Sequence, residues 1–352
     1  MPAVSREQLL LSLSLIAYAG STGEAVHGGA ALRRTIDDWL TRCASTRGLR
    51  LHWGPASFRV WWQPSMPALV AFVVAAPETG ECTLVVRGGG PMTLWDQSLE
   101  SLSCLEQEPW SWAGDVEGLA PAICSGVHRL LAALCELTPE EQVAGAGRTL
   151  HEFFAEAISS ASPDRRFSIR VTGHGVGGAL ATAAALWLFD TQGEGWGREP
   201  SWDPQRRAKV HCCAFACPTL GNSDFVTYLG ERLGAELEHF FNRLDHVPAL
   251  WDPQAMLELP ELYKPHVREP GLLRAMLETI STEIERQGIE YEQPPAQLLE
   301  GRLNTALPPS FMAQAEYQHL HAYASLLGVD EILDVDAILE RRSGTDDGPI
   351  AQ

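Results

Sequence analysis

One segment restricts the fold of this chain more than any other. Residues 167–172 alternate Phe, Ser, Ile, Arg, Val and Thr, which is the period of a β-strand. The next residues, 173–178, read Gly-His-Gly-Val-Gly-Gly, and residues 176–189 are almost wholly apolar. A helix that is apolar on every side must be buried. The segment therefore predicts a strand that turns sharply into a helix covering a β-sheet.

The rest of the chain alternates strand and helix patterns around this segment. Strands are predicted at 57–62, 69–75, 82–86, 208–217 and 237–244, the second and third forming a hairpin across the turn at 77–80. Helices are predicted at 119–137, 138–160, 272–284 and 318–327, with two more within 5–44 and a helix or flap at 93–104.

This order predicts an α/β protein with a mixed, mostly parallel sheet flanked by helices. We expect three parts: an N-terminal helical segment at 1–50, the α/β domain at 51–328, and a C-terminal helix with a flexible tail at 329–352. An α-helical insertion at about 252–315 precedes the last helix of the domain.

Composition and charge exclude several classes of protein. With 352 residues, of which 45% are hydrophobic and 20% charged, the chain can bury a sizeable core and is not disordered or collagen-like. Its net charge of −19 disfavours nucleic acid and anionic membranes as partners. No apolar run reaches the ~18 residues of a membrane-spanning helix.

The eight cysteines include no Cys-x-x-Cys pair and lie mostly in apolar runs, so we expect buried free thiols. No metal or cofactor is predicted. Free thiols favour a cytoplasmic location, but Ala17-Tyr18-Ala19 after an apolar run is similar to a signal-peptide cleavage site, and secretion remains an alternative. Ser5 and Gln8 instead form a capping-box pattern that opens a helix over the same run.

The glycine-rich turn is typical of a nucleophile elbow, Gly-x-Ser-x-Gly, between a strand and a buried helix. Gly173 and Gly177 stand at its outer positions, and His174 precedes the centre. The centre itself is Gly175, so no hydroxyl stands where a hydrolase carries its nucleophilic serine.

Five landmarks in order resemble the class 3, or fungal-type, lipases of the α/β-hydrolase superfamily over about residues 69–327. They are Arg87-Gly88-Gly89 followed by Trp95; Gly-Gly-Ala-Leu-Ala at 177–181; Pro218, Gly221, Asn222 and Phe225; Asp245, Val247, Pro248 and Leu250; and His319 and His321 ahead of Tyr323 and Leu326-Leu327.

The resemblance implies a role for each landmark. Asp245 would orient a triad histidine, His319 in preference to His321. The backbone N–H groups of Gly89 and Val176 would form an oxyanion hole. Leu94, Trp95 and Leu99 fall where these lipases carry a lid, although a helix that simply packs on the core fits the same pattern.

The glycine at position 175 leaves several interpretations open. The resemblance implies an acyl lipid or ester as ligand, bound by a nearly inactive pseudo-enzyme of the lipase lineage. Alternatively, the chain is a variant of an active lipase that lost its serine, or it acts by other chemistry. It could also be an interaction or signalling module that meets a protein partner through the 252–315 insertion.

Overall fold

A computed structural model of the chain describes residues 4–19, 28–59, 68–76, 80–88, 104–113, 116–162, 166–193, 201–268 and 271–339. Within these ranges the strands are β1 Arg50–Phe58, β2 Leu69–Ala75, β3 Glu81–Gly88, β4 Gln107–Pro109, β5 Ala122–Cys124, β6 Phe167–His174, β7 Ala208–Phe215, β8 Leu237–Asn242 and β9 Gln297–Leu299. The α-helices are α1 Arg6–Ile16, α2 Gly29–Arg42, α3 Ser125–Glu136, α4 Leu150–Ser160, α5 Val176–Asp190, α6 Ser223–Leu233, α7 Pro253–Glu258, α8 Gly271–Arg286, α9 Phe311–His319, α10 His321–Leu326 and α11 Val335–Leu339.

Seven of the strands form one sheet in the order β1-β2-β3-β6-β7-β8-β9. The pairs β1–β2 and β2–β3 are antiparallel, and β3 begins a parallel series that runs to β9. The predicted mixed, mostly parallel α/β architecture is therefore confirmed, as is the hairpin that β2 and β3 form. β4 and β5 pair separately in a small antiparallel ribbon.

The sheet is buried on both faces. Along β2, Ala71 and Val73 belong to one hydrophobic cluster, whereas Phe72 and Val74 belong to another on the opposite face. The first cluster includes buried residues of α3, α4 and α5, and the second includes those of α1, α2 and α11. Burial on both faces explains why the parallel strands read as nearly continuous apolar runs.

Helix α5 follows β6 directly and is buried over almost its whole length, as its sequence predicts. It packs against β3, β6 and β7, and α3 and α6 cover it. A helix inside the protein needs no polar face, so its residues are apolar all round. Its first turn, at the carboxyl end of β6, is thereby held rigidly against the sheet.

Helix α1 begins with the predicted capping box, in which Ser5 accepts from the Gln8 backbone and the Gln8 side chain accepts from the Ser5 backbone. It lies across β6, where the Ser14 and Thr172 hydroxyls are 3.0 Å apart. This placement brings Tyr18, just after the helix, to the carboxyl end of β6.

Three predicted boundaries were wrong. Of the strand predicted at 57–62, residues 57 and 58 belong to β1, which begins earlier because irregular pairing around Gly54 interrupts the alternation of side chains, and residues 60–62 lie outside the described residues. The predicted helix 119–137 contains β5 before α3 begins at Ser125. The predicted helix 318–327 is interrupted at Leu320, which separates α9 from α10.

The helix predicted at 138–160 was also wrong in its first half. Gln142, Gly145 and Gly147 all have positive φ, so the chain turns repeatedly before α4. Helix α4 begins only at Leu150, after a capping box formed by Thr149 and Glu152. A residue in the left-handed conformation interrupts an α-helix, so no helix runs through Gln142 and the two glycines. The capping box at Thr149 and Glu152 therefore sets the start of α4.

The 252–315 insertion contains more than the one predicted helix. Besides α8 it contributes α7 and β9, and β9 extends the parallel sheet at its edge. The apolar face of α8 buries Leu273, Leu277 and Ile284 as expected, but Leu272 is 83% exposed. The predicted helix or flap at 93–104 and the 344–352 tail lie outside the described residues, apart from Cys104.

The cysteines and the helix lengths bear on two further predictions. All eight cysteines have free thiols, and seven of them are buried. Within the part of the chain that the structure describes, no helix has the length and apolar character needed to cross a bilayer.

The two capping patterns allow a matched test of the fold. We expect Thr149→Ala to lower the free energy of unfolding by about 1 kcal/mol, because it removes the N-cap acceptor of α4. Thr138→Ala is the control, since Thr138 is exposed and precedes no helix, and it should change stability by less than about 0.5 kcal/mol. Urea unfolding measures both, and equal losses would contradict this account of where α4 begins.

Candidate active site

The turn between β6 and α5 forms a tight elbow at the carboxyl end of the sheet. Gly175 has φ 61° and ψ −128°, a conformation that side-chain-bearing residues rarely adopt. Its N–H donates to the Phe215 carbonyl at 2.9 Å, and its carbonyl accepts from the Gly178 N–H at 2.8 Å. The elbow is thus tied to β7 on one side and to α5 on the other.

The outer glycines of the elbow are required by close backbone contacts. A Cβ atom on Gly173 would clash with the Gly177 carbonyl, and one on Gly177 would lie 2.6 Å from the Val86 carbonyl oxygen. Gly175 differs, because the atoms nearest to its Cβ position belong to side chains: His319 Nε2 at 3.0 Å and Tyr18 Oη at 3.7 Å. A side chain at 175 would point at His319.

Asp245 lies three residues beyond the end of β8 and is 5% exposed. Its Oδ2 accepts from His319 Nδ1 at 3.0 Å and from the Tyr323 hydroxyl at 2.9 Å. Its Oδ1 accepts from the Val247 N–H at 3.0 Å. Burial raises the pKa of this carboxyl, but His319, His246 and the Val247 N–H together hold it below its usual value.

His319 is the last residue of α9 and is 3% exposed. A carboxylate only accepts hydrogen bonds, so Nδ1 of His319 carries a proton, and Nε2 faces Gly175. His321, the alternative candidate, begins α10 and lies 3.3 Å from Asp336 on the surface instead. The structure therefore brings together Gly175, Asp245 and His319, and it separates His321 from them.

The remaining predicted site residues fall in two groups. Val176 is the first residue of α5, so its N–H has no partner within the helix and is available to an anionic oxygen. Gly88 packs directly against it, because a Cβ there would lie 2.7 Å from Val176 Cγ1. Gly89, the second predicted oxyanion donor, and the lid candidates Leu94, Trp95 and Leu99 lie outside the described residues.

Tyr323 is a site residue that the sequence analysis did not assign a role. Its hydroxyl donates to Asp245 and accepts from the backbone N–H of Asn242 at 2.9 Å. The Asn242 side chain in turn donates to the Gln318 carbonyl at 3.0 Å. This network joins the end of β8 to α9 and α10, and it fixes the carboxylate relative to the imidazole. In the sequence, the only indication of this hydrogen-bond network was the tyrosine two residues beyond His321.

A second buried histidine connects the elbow to α9. His174 Nε2 lies 2.7 Å from the His319 carbonyl oxygen, which can only accept, so Nε2 carries the proton and Nδ1 is an acceptor. The Tyr18 hydroxyl lies 3.3 Å from that Nδ1 and 3.2 Å from the His174 carbonyl oxygen. Sequence patterns gave no sign of the contact between Tyr18 and His174, which are 156 positions apart.

Burial sets the charges around the site. Burial and the nearby His319 lower the pKa of His174 to about 3, and burial lowers that of His246, beside Asp245, to about 4. Burial raises the pKa of Tyr18 to about 12 despite Arg87, whose guanidinium carbon lies 5.9 Å from the Tyr18 ring centroid. At neutral pH both histidines are therefore neutral and Tyr18 keeps its proton.

The arrangement is suited to moving a proton, and Gly175 places no side chain at the elbow. An ionised Asp245 behind His319 stabilises the imidazolium that forms when Nε2 takes a proton. The Val176 N–H lies at the N-terminus of α5, where the helix dipole favours negative charge. Within the described ranges, no group of three His, Cys, Asp or Glu residues is placed to hold a metal ion.

Comparisons with known proteins place this geometry in context. The sequence profile of the family described as Lipase (class 3) matches residues 120–254. The crystal structure of M37 lipase is 27% identical over 96% of this chain and 98% of its own, with a TM-score of 0.86. Lipase II from Rhizopus niveus is 15% identical over 71% of this chain and 75% of its own, with a TM-score of only 0.44. Comparison with curated proteins gives no match.

The buried histidines predict a loss of stability in acid. An unfolded histidine has a pKa near 6.5, whereas His174 in the folded chain has one of about 3. Because the pKa of His174 is lower in the folded chain than in the unfolded chain, the neutral form of His174 stabilises the fold fully above pH 6.5. This stabilisation is lost as the pH falls toward 3. We expect the titration of His174 alone to lower the free energy of unfolding by about 2 kcal/mol between pH 7 and pH 5.

Urea unfolding at the two pH values tests this with His174→Gln, which keeps a donor for the His319 carbonyl and removes the titrating group. The drop in unfolding free energy between pH 7 and pH 5 should be smaller by about 2 kcal/mol in the variant. An identical drop in both proteins would show that His174 is not held neutral in the folded state.

Proposed function

We propose that this chain, which belongs to the class 3 lipase family and has the α/β-hydrolase fold, binds acyl esters at the elbow without forming an acyl-enzyme. The observation that carries the proposal is the pairing of a retained Asp245–His319 hydrogen bond, 3.0 Å long, with a glycine at position 175. The chain is then a pseudo-enzyme in lipase chemistry.

The missing hydroxyl supports this proposal directly. A lipase of this lineage attacks its ester with a serine at the elbow, and the attacking oxygen then leaves as the acyl group is hydrolysed. Glycine supplies no attacking atom. Loss of the nucleophile from a comparable triad lowers kcat by about 10⁶. Hydrolysis through an acyl-enzyme is therefore closed to this chain.

The rest of the site supports an ester ligand. A buried carboxylate is costly unless it is fully hydrogen-bonded, and Asp245 retains three donors from separate segments of the chain. His319 Nε2 faces the elbow, and Val176 has its N–H at a helix N-terminus. We assign Asp245 the orienting role, His319 that of general base, and the N–H groups of Val176 and Gly89 that of oxyanion donors.

A second candidate function is favoured by the surface of the insertion. Four of its large apolar side chains are solvent-exposed: Leu257 at 41%, Leu272 at 83%, Leu298 at 52% and Met312 at 50%. Exposed apolar patches mark surfaces that contact other proteins. In this case the chain would act as an interaction module on a lipase scaffold, and the elbow would bind no ester.

The decisive substitution is Gly175→Ser. We expect it to hydrolyse p-nitrophenyl butyrate at least about 10³-fold faster than the natural chain, because it restores the nucleophile in front of His319. Gly175→Ala is the matched control, since it adds the same Cβ atom and the same backbone strain, of about 1–3 kcal/mol, without the hydroxyl. The double variant Gly175→Ser with His319→Ala should return to the background rate.

Ester binding is tested separately by isothermal titration of the natural chain with an unreactive N-alkyl decanamide. Saturable binding that Gly175→Ser retains supports the proposal. If a folded Gly175→Ser is as inert as Gly175→Ala and neither binds the amide, the elbow is not an ester site. The interaction role would then be the better interpretation.

A further inference from the structure

We propose that the Asp245–His319 pair transfers acyl groups directly to an external hydroxyl, either water or a short primary alcohol, that takes the position of the serine hydroxyl beside Gly175. This inference rests on the proposed ester-binding function and extends it. The chain would then be a slow acyltransferase that operates in one step, with both substrates bound together, instead of through an acyl-enzyme.

The geometry beside Gly175 supports a small oxygen nucleophile. Two polar side chains border the direction in which a side chain at 175 would project, and their atoms are the ones nearest to its Cβ position. His319 Nε2 lies 3.0 Å and Tyr18 Oη 3.7 Å from that position. An oxygen that hydrogen-bonds to Nε2 therefore has a second polar group, the Tyr18 hydroxyl, within the same space.

The base that faces this space is prepared for proton transfer. Asp245 accepts from His319 Nδ1, so Nε2 is the ring nitrogen that faces Gly175 and can receive a proton there. Tyr323 and Val247 complete the hydrogen bonds of Asp245, and the carboxylate therefore stays ionised behind the imidazole. The His174 contact with the His319 carbonyl fixes the backbone of the base as well. Nothing in this arrangement requires that the attacking hydroxyl be covalently attached to the protein.

The step balances without any other reagent. The alcohol or water oxygen forms a bond to the acyl carbonyl carbon while His319 Nε2 takes its proton. The tetrahedral oxyanion that results faces the N-terminus of α5, where the Val176 N–H is available to it. The bond to the leaving alkoxide then breaks, and the imidazolium returns the proton to that oxygen. The products are a new ester, or a carboxylic acid, and the released alcohol.

The size of the nucleophile is limited by the buried side chains around it. Tyr18 and His319 are each 3% exposed, and both are fixed by hydrogen bonds to the protein. A Cβ atom at 175 would already lie 3.0 Å from Nε2, closer than ordinary van der Waals contact. Adding even a methyl group at 175 should therefore obstruct the nucleophile, which makes Gly175 a requirement of the direct reaction.

The test uses the full-length protein with p-nitrophenyl butyrate and increasing methanol. p-Nitrophenol is followed by absorbance, methyl butyrate by gas chromatography, and acyl-protein by intact mass. We expect methyl butyrate formation that rises with methanol concentration, no initial burst of p-nitrophenol and no acylated protein. His319→Ala and Gly175→Ala should each form methyl butyrate at least tenfold more slowly. His321→Ala, which alters a surface pair with Asp336, is the control and should retain it.

A change of leaving group separates direct transfer from an acyl-enzyme. In Gly175→Ser one acyl-enzyme serves every ester, so the ratio of methyl butyrate to butyrate should not depend on the leaving group. In the natural chain the ratio should change when phenyl butyrate replaces p-nitrophenyl butyrate, because the leaving group is still present when the nucleophile attacks.

Two outcomes would overturn the inference. One is turnover by the natural chain that is equal in His319→Ala, and the other is no methanol-dependent product while the decanamide still binds. The second outcome would leave ester binding intact and remove only the direct transfer. Failure of the decanamide to bind would instead remove the proposed function, and the inference with it.

Discussion

The site depends on the burial of one ionised carboxylate. Asp245 is held by Val247 in its own loop, by His319 at the end of α9 and by Tyr323 in α10. Each donor also fixes the element that carries it, so the carboxylate sets the distance between β8 and the two last helices of the domain. The break at Leu320 places His319 and Tyr323 on the same side of the carboxylate. The position of the imidazole over the elbow follows from this arrangement.

The elbow and its central glycine obey different physical requirements. Gly173 and Gly177 are fixed by backbone contacts with β3 and α5 that leave no room for a Cβ atom. Gly175, unlike these two glycines, has a positive φ of 61°, yet only side-chain atoms oppose a substituent there. The fold therefore has the shape of a nucleophile elbow with no side chain at its centre. Glycine adopts this φ without the strain that a side chain would introduce there.

Strong local patterns predicted the centre of the fold, and contacts distant in sequence could not be predicted in the same way. The alternation at 167–172 and the apolar run at 176–189 give β6 and α5 because both patterns persist over many residues. Two capping patterns precede α4, one at Thr138 and one at Thr149. The left-handed conformation of Gln142 prevents a helix from starting at the first. Tyr18 reaches His174 only because α1 packs across β6. No spacing in the sequence encodes a contact of that kind.

The most direct test of this account is covalent labelling of Gly175→Ser with a fluorophosphonate, followed by intact mass and peptide mapping. We predict one label, on residue 175, whose rate falls sharply when His319 is replaced by alanine. The natural chain and Gly175→Ala should remain unlabelled under the same conditions. A folded Gly175→Ser that does not react would contradict the central claim, because it would mean that Asp245 and His319 do not form a working pair in front of the elbow.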